Sequence, residues 1–475
     1  RIAPYAFVNC GLTVVDLSNA DSLVIIDEYS FYMSPVEEIV FGTVNEISIG
    51  NYAFYGAKLT ELVLPSNIIA IGDYAFGNVS TLTSVSLAQN SRLETIGAGA
   101  FRGTAVEVFA FDQAAGLTSI GDYAFYETAL QAIVLPDTVT DVGAYAFYGC
   151  ADVSELVMSK AIESIGDYAF SGLDRITEVT IYGNNTTVGD GAFENCTSLE
   201  SVTLENGVDS IGPSAFGFTA ITEVTLPESV TSLEGNPFTG CELTRLDILA
   251  ENADIVFDAL NKTMYNRDKT LLYYVSPTFS GEYTVLGSVS AILPGAFAGS
   301  GITSITIPDT FTAIPADAFK ACARLTSFTV GKNITSIGSS AFEGCTGLAT
   351  LTFETGGVNP LIIGERAFYG TSSLTEVVFP DRLRDVVKEV VVDSFEIPGF
   401  GTVEITEKTG YAGIGDSSFE NSGLVTISYE KDVDIATNYD MNTTVMIGKR
   451  AFANCASLVS AEFGPMTSGG SYDIN

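Results

Sequence analysis

Apolar and polar positions follow a pattern that returns about every 22 or 23 residues along the chain. Each period contains a run of the form apolar-x-x-apolar-x-apolar, such as LTELVL at 59–64 and LESVTL at 199–204. The second half of the run alternates with a period of two and is rich in Val, Ile and Thr, which is typical of a short strand with one buried face. The pattern therefore predicts one such strand in every period.

The other part of each period ends in a six-residue motif. The motif consists of an aliphatic residue, a residue that is usually Gly, two variable residues, a small residue and Phe. The hexapeptide IGDYAF, for example, occupies 71–76, 120–125 and 165–170. The position before the Phe is Ala in fourteen copies, Ser in three and Pro237 in one, which indicates a crowded interior. We predict a short extended piece that ends at the aliphatic-Gly pair, followed by a tight helical turn that carries the Phe.

The repeat Phe occurs eighteen times, at Phe7, Phe31, Phe54, Phe76, Phe101, Phe125, Phe147, Phe170, Phe193, Phe216, Phe238, Phe297, Phe319, Phe342, Phe368, Phe395, Phe419 and Phe452. One period cannot bury its apolar face alone, but stacked periods bury Leu on Leu and Phe on Phe. The predicted fold is a repeat solenoid of the α/β horseshoe type with about eighteen repeats, with parallel strands about 4.8 Å apart and short helical turns on the opposite side.

The period breaks between residues 257 and 297. Within this stretch MYNRDKTLLYY contains two β-prone runs around Asn266 to Lys269, which predicts a hairpin. We therefore expect an N-terminal repeat array at 1–246, a hairpin-containing insertion at 247–296 and a C-terminal array with longer insertions at 297–475.

These motifs carry a family resemblance. The LxxLxL strand with its period of 22 or 23 residues resembles a leucine-rich repeat, and IGxxAFxxC closely resembles the BspA-like bacterial subfamily. The resemblance implies the solenoid fold, a location outside the cell or on its surface, and adhesion to host or bacterial partners. Fold is inherited strongly from such a resemblance, whereas function is inherited weakly.

Charge and composition limit the classes of partner that the chain can bind. Lys plus Arg is 21 against 58 Asp plus Glu, a net charge of -37, which disfavours nucleic acid and anionic lipid. No apolar run approaches the roughly 18 residues of a membrane span. The start, RIAPYAFVNC, enters in the middle of a repeat, so we expect that any signal peptide is missing from this chain.

Candidate chemistry is sparse. His is absent, which removes the usual Ser-His-Asp and Cys-His nucleophile pairs and imidazole metal ligands, so we expect no catalysis, no cofactor and no metal. All seven cysteines lie three residues after a repeat Phe, and we expect buried free thiols in place of disulfides. In IGDYAF we expect the Gly to supply a backbone turn and the Asp to cap the helical turn.

Tyrosines form the first candidate surface. They stand two residues before or one residue after the repeat Phe, almost all of them before residue 170, so stacking should align them on the side opposite the LxxLxL sheet. The row either seals the core or offers a partner surface, since Tyr is favoured at interfaces. The candidates are Tyr52, Tyr55, Tyr74, Tyr123, Tyr126, Tyr145, Tyr148 and Tyr168.

The outward positions of the LxxLxL strands form the second candidate surface. Short hydroxyls and Glu dominate them, and the candidate contacts are Glu155, Glu178, Glu223 and Arg245. Without aromatic platforms this face is a poor glycan site, and its contacts should be broad and polar. We expect a monomeric, non-catalytic binding or adhesion module. The alternatives are an architectural spacer that displays another domain or, less favoured, a glycan-active enzyme.

Overall fold

The computed structural model describes residues 1–248, 254–357, 359–380, 386–397, 401–411, 414, 416–429, 446–447, 450–462 and 473–474. The chain divides into two compact units, Arg1–Phe257 and Asp258–Asn475. The boundaries of the three segments expected from the sequence stay a prediction.

The first unit contains short strands, which are β1 (Val14–Asp16), β2 (Ile25–Ile26), β3 (Glu38–Val40), β4 (Ile47–Ile49), β5 (Glu61–Leu64), β6 (Ile68–Ile71), β7 (Ser84–Leu87), β8 (Thr95–Ile96), β9 (Val108–Phe109), β10 (Ser119–Ile120), β11 (Ala132–Val134), β12 (Asp141–Val142), β13 (Glu155–Val157), β14 (Ser164–Ile165), β15 (Glu178–Ile181), β16 (Thr186–Val188), β17 (Ser201–Leu204), β18 (Val208–Ile211), β19 (Glu223–Leu226), β20 (Ser232–Leu233) and β21 (Arg245–Ile248). A single 3-10 turn, Phe111–Gln113, lies between β9 and β10. Strand β22 (Ile255–Asp258) lies at the boundary of the units.

The second unit contains β23 (Thr263–Asn266), β24 (Leu271–Val275), β25 (Ser280–Thr284), β26 (Ala291–Ile292), β27 (Gly301–Thr306), β28 (Ala313–Ile314), β29 (Ser327–Val330), β30 (Ser336–Ile337), β31 (Thr350–Phe353), β32 (Ile362–Ile363), β33 (Glu376–Phe379), β34 (Val386–Ile397), β35 (Gly401–Tyr411), β36 (Thr426–Tyr429), β37 (Met446–Ile447), β38 (Ser460–Glu462) and β39 (Asp473–Ile474). The repeat solenoid predicted from the sequence is confirmed.

The LxxLxL segments form the strands predicted for them. In β5, Leu62 and Leu64 are buried while Glu61 and Val63 are exposed, as a half-buried strand requires. These strands pair in parallel, but only in small groups, which in the first unit are β1–β3, β5–β7–β9, β11–β13, β15–β17 and β19–β21. The outward positions named from the sequence therefore do face solvent.

The aliphatic-Gly segments form the more continuous sheet. Ten strands of two to four residues, the even-numbered strands from β2 to β20, pair in parallel in one sheet. Their last residue, such as Ile71, Ile120 or Ile165, is 1% exposed and points into the coil. The sequence pattern indicated an extended piece here, and the structure makes it the longest ladder of the first unit.

The segment that carries the Phe is a hydrogen-bonded turn and not a helix, which corrects the helical turns expected in the fold class. Within the turn, Ala124 N–H donates to Gly121 and Tyr126 N–H donates to Tyr123. The intervening N–H groups of Tyr123 and Phe125 donate instead to carbonyls of the next repeat, at 2.9 and 2.7 Å. Stacking thus satisfies donors that a helix would satisfy internally.

The recurrent Gly of the hexapeptide allows neighbouring repeats to pack closely. We expected it to supply an unusual backbone turn, and this was wrong, because Gly121 and Gly166 do not have a positive φ. A Cβ at Gly166 would lie 2.5 Å from the backbone N of Ala144 in the preceding repeat. Any side chain would therefore push the repeats apart.

The repeat Phe residues form a ladder in each unit. In the first unit neighbouring rings from Phe7 to Phe238 stack with centroids 5.0–5.8 Å apart. In the second unit the spacing from Phe297 to Phe452 is 4.9–5.4 Å. Most of these rings, including Phe170, are fully buried. Ala precedes them because a larger side chain has no room beside the stacked rings.

Hairpins interrupt the repeat pattern in the described part of the second unit. Strands β23 and β24 pair antiparallel, which confirms the hairpin predicted around Asn266 to Lys269. Strands β34 and β35 also pair antiparallel, and Phe395 lies there opposite Val403. Assigning Phe395 as a repeat Phe was therefore wrong, since Phe368 stacks directly on Phe419 at 4.9 Å. The long strand shares the spacing of apolar residues with a repeat but belongs to an insertion.

Candidate functional site

The tyrosines two residues before the Phe occupy a left-handed backbone position. Tyr123, Tyr145 and Tyr168 have φ of 57°, 57° and 55°. This region costs a side-chain-bearing residue roughly 1–2 kcal/mol, so something else in the structure compensates for it. The hydrogen bonds between repeats hold the turn, and ring stacking adds to them.

The tyrosines two residues before the Phe form one column and those one residue after it form a second. We call the two columns together the tyrosine face. The first column runs through Tyr5, Tyr29, Tyr52 and Tyr74 and resumes with Tyr123, Tyr145 and Tyr168, with neighbouring centroids 4.8–5.0 Å apart. The second column contains the pairs Tyr32–Tyr55 and Tyr126–Tyr148, at 5.3 and 5.2 Å. The structure thus brings together all eight tyrosines named from the sequence in two patches.

A repeat without tyrosine separates the patches. Gly99 takes the place of Tyr in the first column, and a Cβ there would lie 2.4 Å from the ring of Tyr74. In the second column Arg102 places its guanidinium 5.3 Å from the ring centre of Tyr123 and 4.9 Å from that of Tyr126. Sequence reasoning did not single out Arg102, although aligning the repeats would have placed it in the tyrosine column.

Apart from Tyr5, which is exposed, the tyrosine face is half-buried, so the rings both cover the core and reach solvent. Burial raises the pKa of Tyr52, Tyr126 and Tyr145. Burial, followed by the charge of Glu194, raises the pKa of Tyr168 to about 12. Nearby carboxylates such as Asp73, Glu127 and Asp167 act in the same direction on one or more of these hydroxyls. The phenols therefore stay protonated donors in a negative environment.

The Asp of the hexapeptide bonds across repeats. Asp73 Oδ1 accepts the N–H of Ala98 at 2.8 Å, and Asp122 Oδ1 accepts that of Ala144 at 2.8 Å. The expected cap of its own turn was wrong, because the free N–H lies in the following repeat. This carboxylate belongs to the scaffold and not to a binding site.

The cysteines also belong to the scaffold. All seven are free, five are buried, and Cys10 and Cys455 are half-buried. The Cys322 thiol donates to the carbonyl of Phe297 in the preceding repeat at 2.9 Å, and burial raises the pKa of Cys322 to about 12. Thr128, in the same slot, donates to the carbonyl of Phe125 at 3.0 Å. The slot selects a small side chain that can satisfy a buried carbonyl.

The second candidate surface lies on the LxxLxL strands, whereas the tyrosine face lies on the turns that carry the Phe. Glu155, Glu178, Glu223 and Arg245 are all exposed there. Arg245 lies 2.5 Å from Asp247 and 3.9 Å from Glu223, and the hydrogen bond that Arg245 donates to the Asp247 carboxylate raises the pKa of Arg245. The structure therefore separates the two groups of candidate residues.

Two adjoining hollows make this strand surface concave. One, of about 240 Å³, crosses β13, β15 and β17, and the other, of about 420 Å³, crosses β17, β19 and β21. They share Thr203, and Tyr182 lines the first. We call this combined depression the strand trough. Tyr182 lies outside the repeat motif, so its position in the trough was not visible in the pattern.

The strand side of the second unit has a cavity of another kind. Its volume is about 340 Å³, and the buried side chains of Phe311, Ile314 and Phe328 are among those that line it. Lys332 and Glu354, which are exposed, also line it. In the described part of the chain, no group of three or more His, Cys, Asp or Glu residues could hold a metal ion.

The described residues include no helix long and apolar enough to cross a membrane. The family model described as "BspA type Leucine rich repeat region (6 copies)" matches residues 1–116, 118–245, 281–397 and 363–472. No curated protein matches the chain.

Several solved structures are similar. A leucine rich cell surface protein from Faecalibacterium prausnitzii is 20% identical, with 87% of this chain and 90% of that chain covered and a TM-score of 0.44. A leucine-rich repeat protein from Bacteroides ovatus is 23% identical, with 76% and 88% covered and a TM-score of 0.39. The pneumococcal vaccine antigen PcpA is 14% identical, with 96% and 92% covered and a TM-score of 0.35.

Proposed function

Because the chain belongs to the BspA-type leucine-rich repeat family, we propose that it is a non-catalytic protein that binds protein partners outside the cell or on its surface. Its role is adhesion to host or bacterial surfaces, and it acts as a monomer. The tyrosine face is the main contact surface in this proposal.

The observation that carries the proposal is the pair of stacked, half-exposed tyrosine columns. Tyr combines a large apolar ring with a polar tip and holds few rotamers, which makes it a favoured anchor at protein interfaces. Stacking at 4.8–5.3 Å holds the rings in place before any partner arrives, so little side-chain entropy is lost on binding.

The net charge of -37 shapes the choice of partner. A surface with this field repels nucleic acid and favours proteins with positive or neutral contact surfaces. The raised pKa values of Tyr52, Tyr126, Tyr145 and Tyr168 support hydroxyls that donate hydrogen bonds to such a partner over the physiological pH range.

Binding of the purified chain to immobilised host matrix proteins and to whole bacterial cells tests the proposal. The double variant Tyr126→Ser/Tyr148→Ser removes one half of the second column. We expect it to lower the affinity for a bound partner at least about tenfold, since central aromatic anchors at interfaces are worth about 2 kcal/mol or more.

Tyr369→Ser is the matched control, because Tyr369 occupies the same repeat position outside the two columns and is also half-buried. It should bind as the wild type does, and thermal unfolding should show that both variants fold. Equal losses in the two variants, or no binding of the wild type to any protein or cell surface, would contradict the proposal.

A further inference from the structure

The two patches of the tyrosine face end in the same way. The first patch comprises Tyr5, Tyr29, Tyr32, Tyr52, Tyr55 and Tyr74, and the second comprises Tyr123, Tyr126, Tyr145, Tyr148 and Tyr168. At the end of the first patch, the ring of Tyr74 lies over Gly99 of the next repeat, where a Cβ would come 2.4 Å from the ring. At the end of the second patch, Tyr168 lies in the same way over Gly191, also at 2.4 Å.

The charges at these two ends are opposite. Beyond the first patch, the residues on either side of the glycine in the turn are Ala98 and Arg102. Beyond the second patch, the same two repeat positions hold Asp190 and Glu194. Burial is the main cause of the raised pKa of Tyr168, and the charges of Glu194 and Asp190 add to it, so both carboxylates lie close to this ring. The second patch therefore ends in negative charge, and the first patch ends at a cation.

The carboxylate of Asp190 lacks the backbone partner that its equivalents in earlier repeats have. Asp73, Asp122 and Asp167 each accept a backbone N–H of the next repeat at 2.8–2.9 Å. The residue in line after Asp190 is Pro213, which has no N–H. Burial, followed by the charges of neighbouring carboxylates, raises the pKa of Asp190. A cationic group from a partner would stabilise the charged form of this side chain.

The second patch repeats at a distance that suits a polyproline II helix. The ring centroids of Tyr123 and Tyr145 lie 4.9 Å apart, and those of Tyr145 and Tyr168 lie 5.0 Å apart. Two such steps come to about 10 Å, close to the roughly 9.3 Å of one polyproline II turn, which contains three residues. Tyr126 and Tyr148 add a second row, inclined by 48° and 53° to the first. Prolines three residues apart can therefore pack on rings two repeats apart.

The hydroxyls of the patch suit the backbone of such a helix. Polyproline II has no internal hydrogen bonds, so its carbonyls accept bonds from outside. The hydroxyls of Tyr145 and Tyr168 bond to no other residue within the described part of the chain, and burial raises the pKa of both. These phenols therefore remain donors at neutral pH. A proline-rich segment is also stiff before it binds, so it loses little entropy on an aromatic surface.

We infer that the second patch binds a proline-rich segment of a protein partner in the polyproline II conformation, with a basic side chain of that segment over Asp190 and Glu194. The inference rests on the proposed function of the tyrosine face and adds the chemistry of the partner. Charge complementarity selects the second patch, because the equivalent end of the first patch carries Arg102.

The probe for the test is a short fluorescein-labelled peptide of prolines with two arginines at one end, and fluorescence anisotropy with the full chain measures its affinity. We expect Tyr145→Ser, which removes the central ring of the patch, to weaken binding at least about tenfold. Asp190→Asn/Glu194→Gln should weaken it about tenfold at low salt and by less at physiological salt, because salt screens exposed charges. A peptide with citrulline in place of arginine should bind about tenfold more weakly and should not respond to the double variant.

Each variant has a matched control. Tyr52→Ser removes a ring that also lies between two stacked tyrosines, but in the first patch. Glu155→Gln/Glu178→Gln removes the same charge from exposed positions on the LxxLxL strands. Each control should change the affinity less than about twofold, as distant surface charges are largely screened. Thermal unfolding checks that every variant folds, and Tyr148→Ser replaces Tyr145→Ser if the latter does not.

Equal losses in the two tyrosine variants, or in the two charge variants, would overturn the inference, because any tyrosine or any carboxylate would then serve. Undiminished binding of a peptide with glycine in place of proline would overturn it as well. If the wild type fails to bind the proline peptide but still captures a matrix protein or a cell, the inference is rejected and the proposed function stands. Loss of both peptide binding and protein capture in Tyr126→Ser/Tyr148→Ser would support a shared surface.

Discussion

The tyrosine-bearing repeats and the later repeats adopt the same left-handed backbone conformation with different side chains. At the position two before the Phe, Tyr123 and Tyr145 have φ of 57°, while Ser214, Asp317 and Ser340 have 53°, 53° and 52°. The left-handed turn is therefore independent of the residue that occupies it. Hydrogen bonds between repeats and the Phe ladder hold this turn, which leaves the side chain at this position available for the surface.

The comparison implies that the Phe ladder matters equally in both regions. Phe170→Ala and Phe342→Ala each remove a fully buried ring from a stack, so each should cost roughly 3 to 5 kcal/mol in the free energy of unfolding. Urea unfolding measures the loss. A value below about 1 kcal/mol for either variant would mean that its ring is not an internal part of the stack.

Removing a tyrosine separates the two regions. Tyr145→Ala loses stacking on Tyr123 and Tyr168, and we expect a loss of about 2 kcal/mol in unfolding free energy. Ser214→Ala loses only a hydrogen bond with Thr239 and should cost about 1 kcal/mol or less. Tyr145→Gly should recover up to about 1 kcal/mol relative to Tyr145→Ala, because Gly adopts positive φ without strain. If the glycine variant were the less stable of the two, the strain at this position would be negligible.

Alkaline pH should weaken the tyrosine region selectively. The folded-state pKa of Tyr168 is raised to about 12, above the usual value of 10 for an unfolded chain, so its stabilising contribution is complete below about pH 10 and is lost as pH rises towards 12. Because Tyr168 is partly exposed, we expect about 1 kcal/mol after screening. Unfolding free energies of the wild type and Tyr168→Phe, compared from pH 9 to about 12, measure it. If the variant lost stability in parallel with the wild type, Tyr168 would not be the titrating group.

The smallest effect is expected on the strand face. Glu178→Ala replaces an exposed side chain that forms no ion pair within the described residues, so the free energy of unfolding should change by less than about 0.5 kcal/mol. A large loss in urea unfolding would mean that the strand is shifted by one residue, which would place Glu178 on the inner face.

Much of the fold could be predicted from periodicity because every repeat of a solenoid has the same local structure. The LxxLxL strands, the Phe ladder and the hairpin at Asn266 to Lys269 all follow from patterns within one period or one turn. Phe395 shows the limit, since it has the right neighbours in sequence but lies in a hairpin. Local spacing cannot reveal that the Phe368 repeat stacks directly on the Phe419 repeat.

The candidate surfaces show a similar division. Aligning tyrosines by their distance from the Phe placed all eight candidates in two patches, because stacking converts sequence register into spatial proximity. The position of Arg102 over Tyr123 and Tyr126 and the meeting of Tyr182 with the strand trough depend on side-chain reach between repeats, which the pattern does not contain.

The sequence by itself determined that the chain is a solenoid and, apart from Phe395, which positions of the repeat motif are internal, because each repeat has one apolar face to bury. The tertiary structure alone decided how the backbone closes each repeat. Its donors bond to the next repeat, Gly166 makes room for the preceding backbone, and Asp73 reaches the N–H of Ala98. These roles exist only between repeats, so no single copy of the motif reveals them.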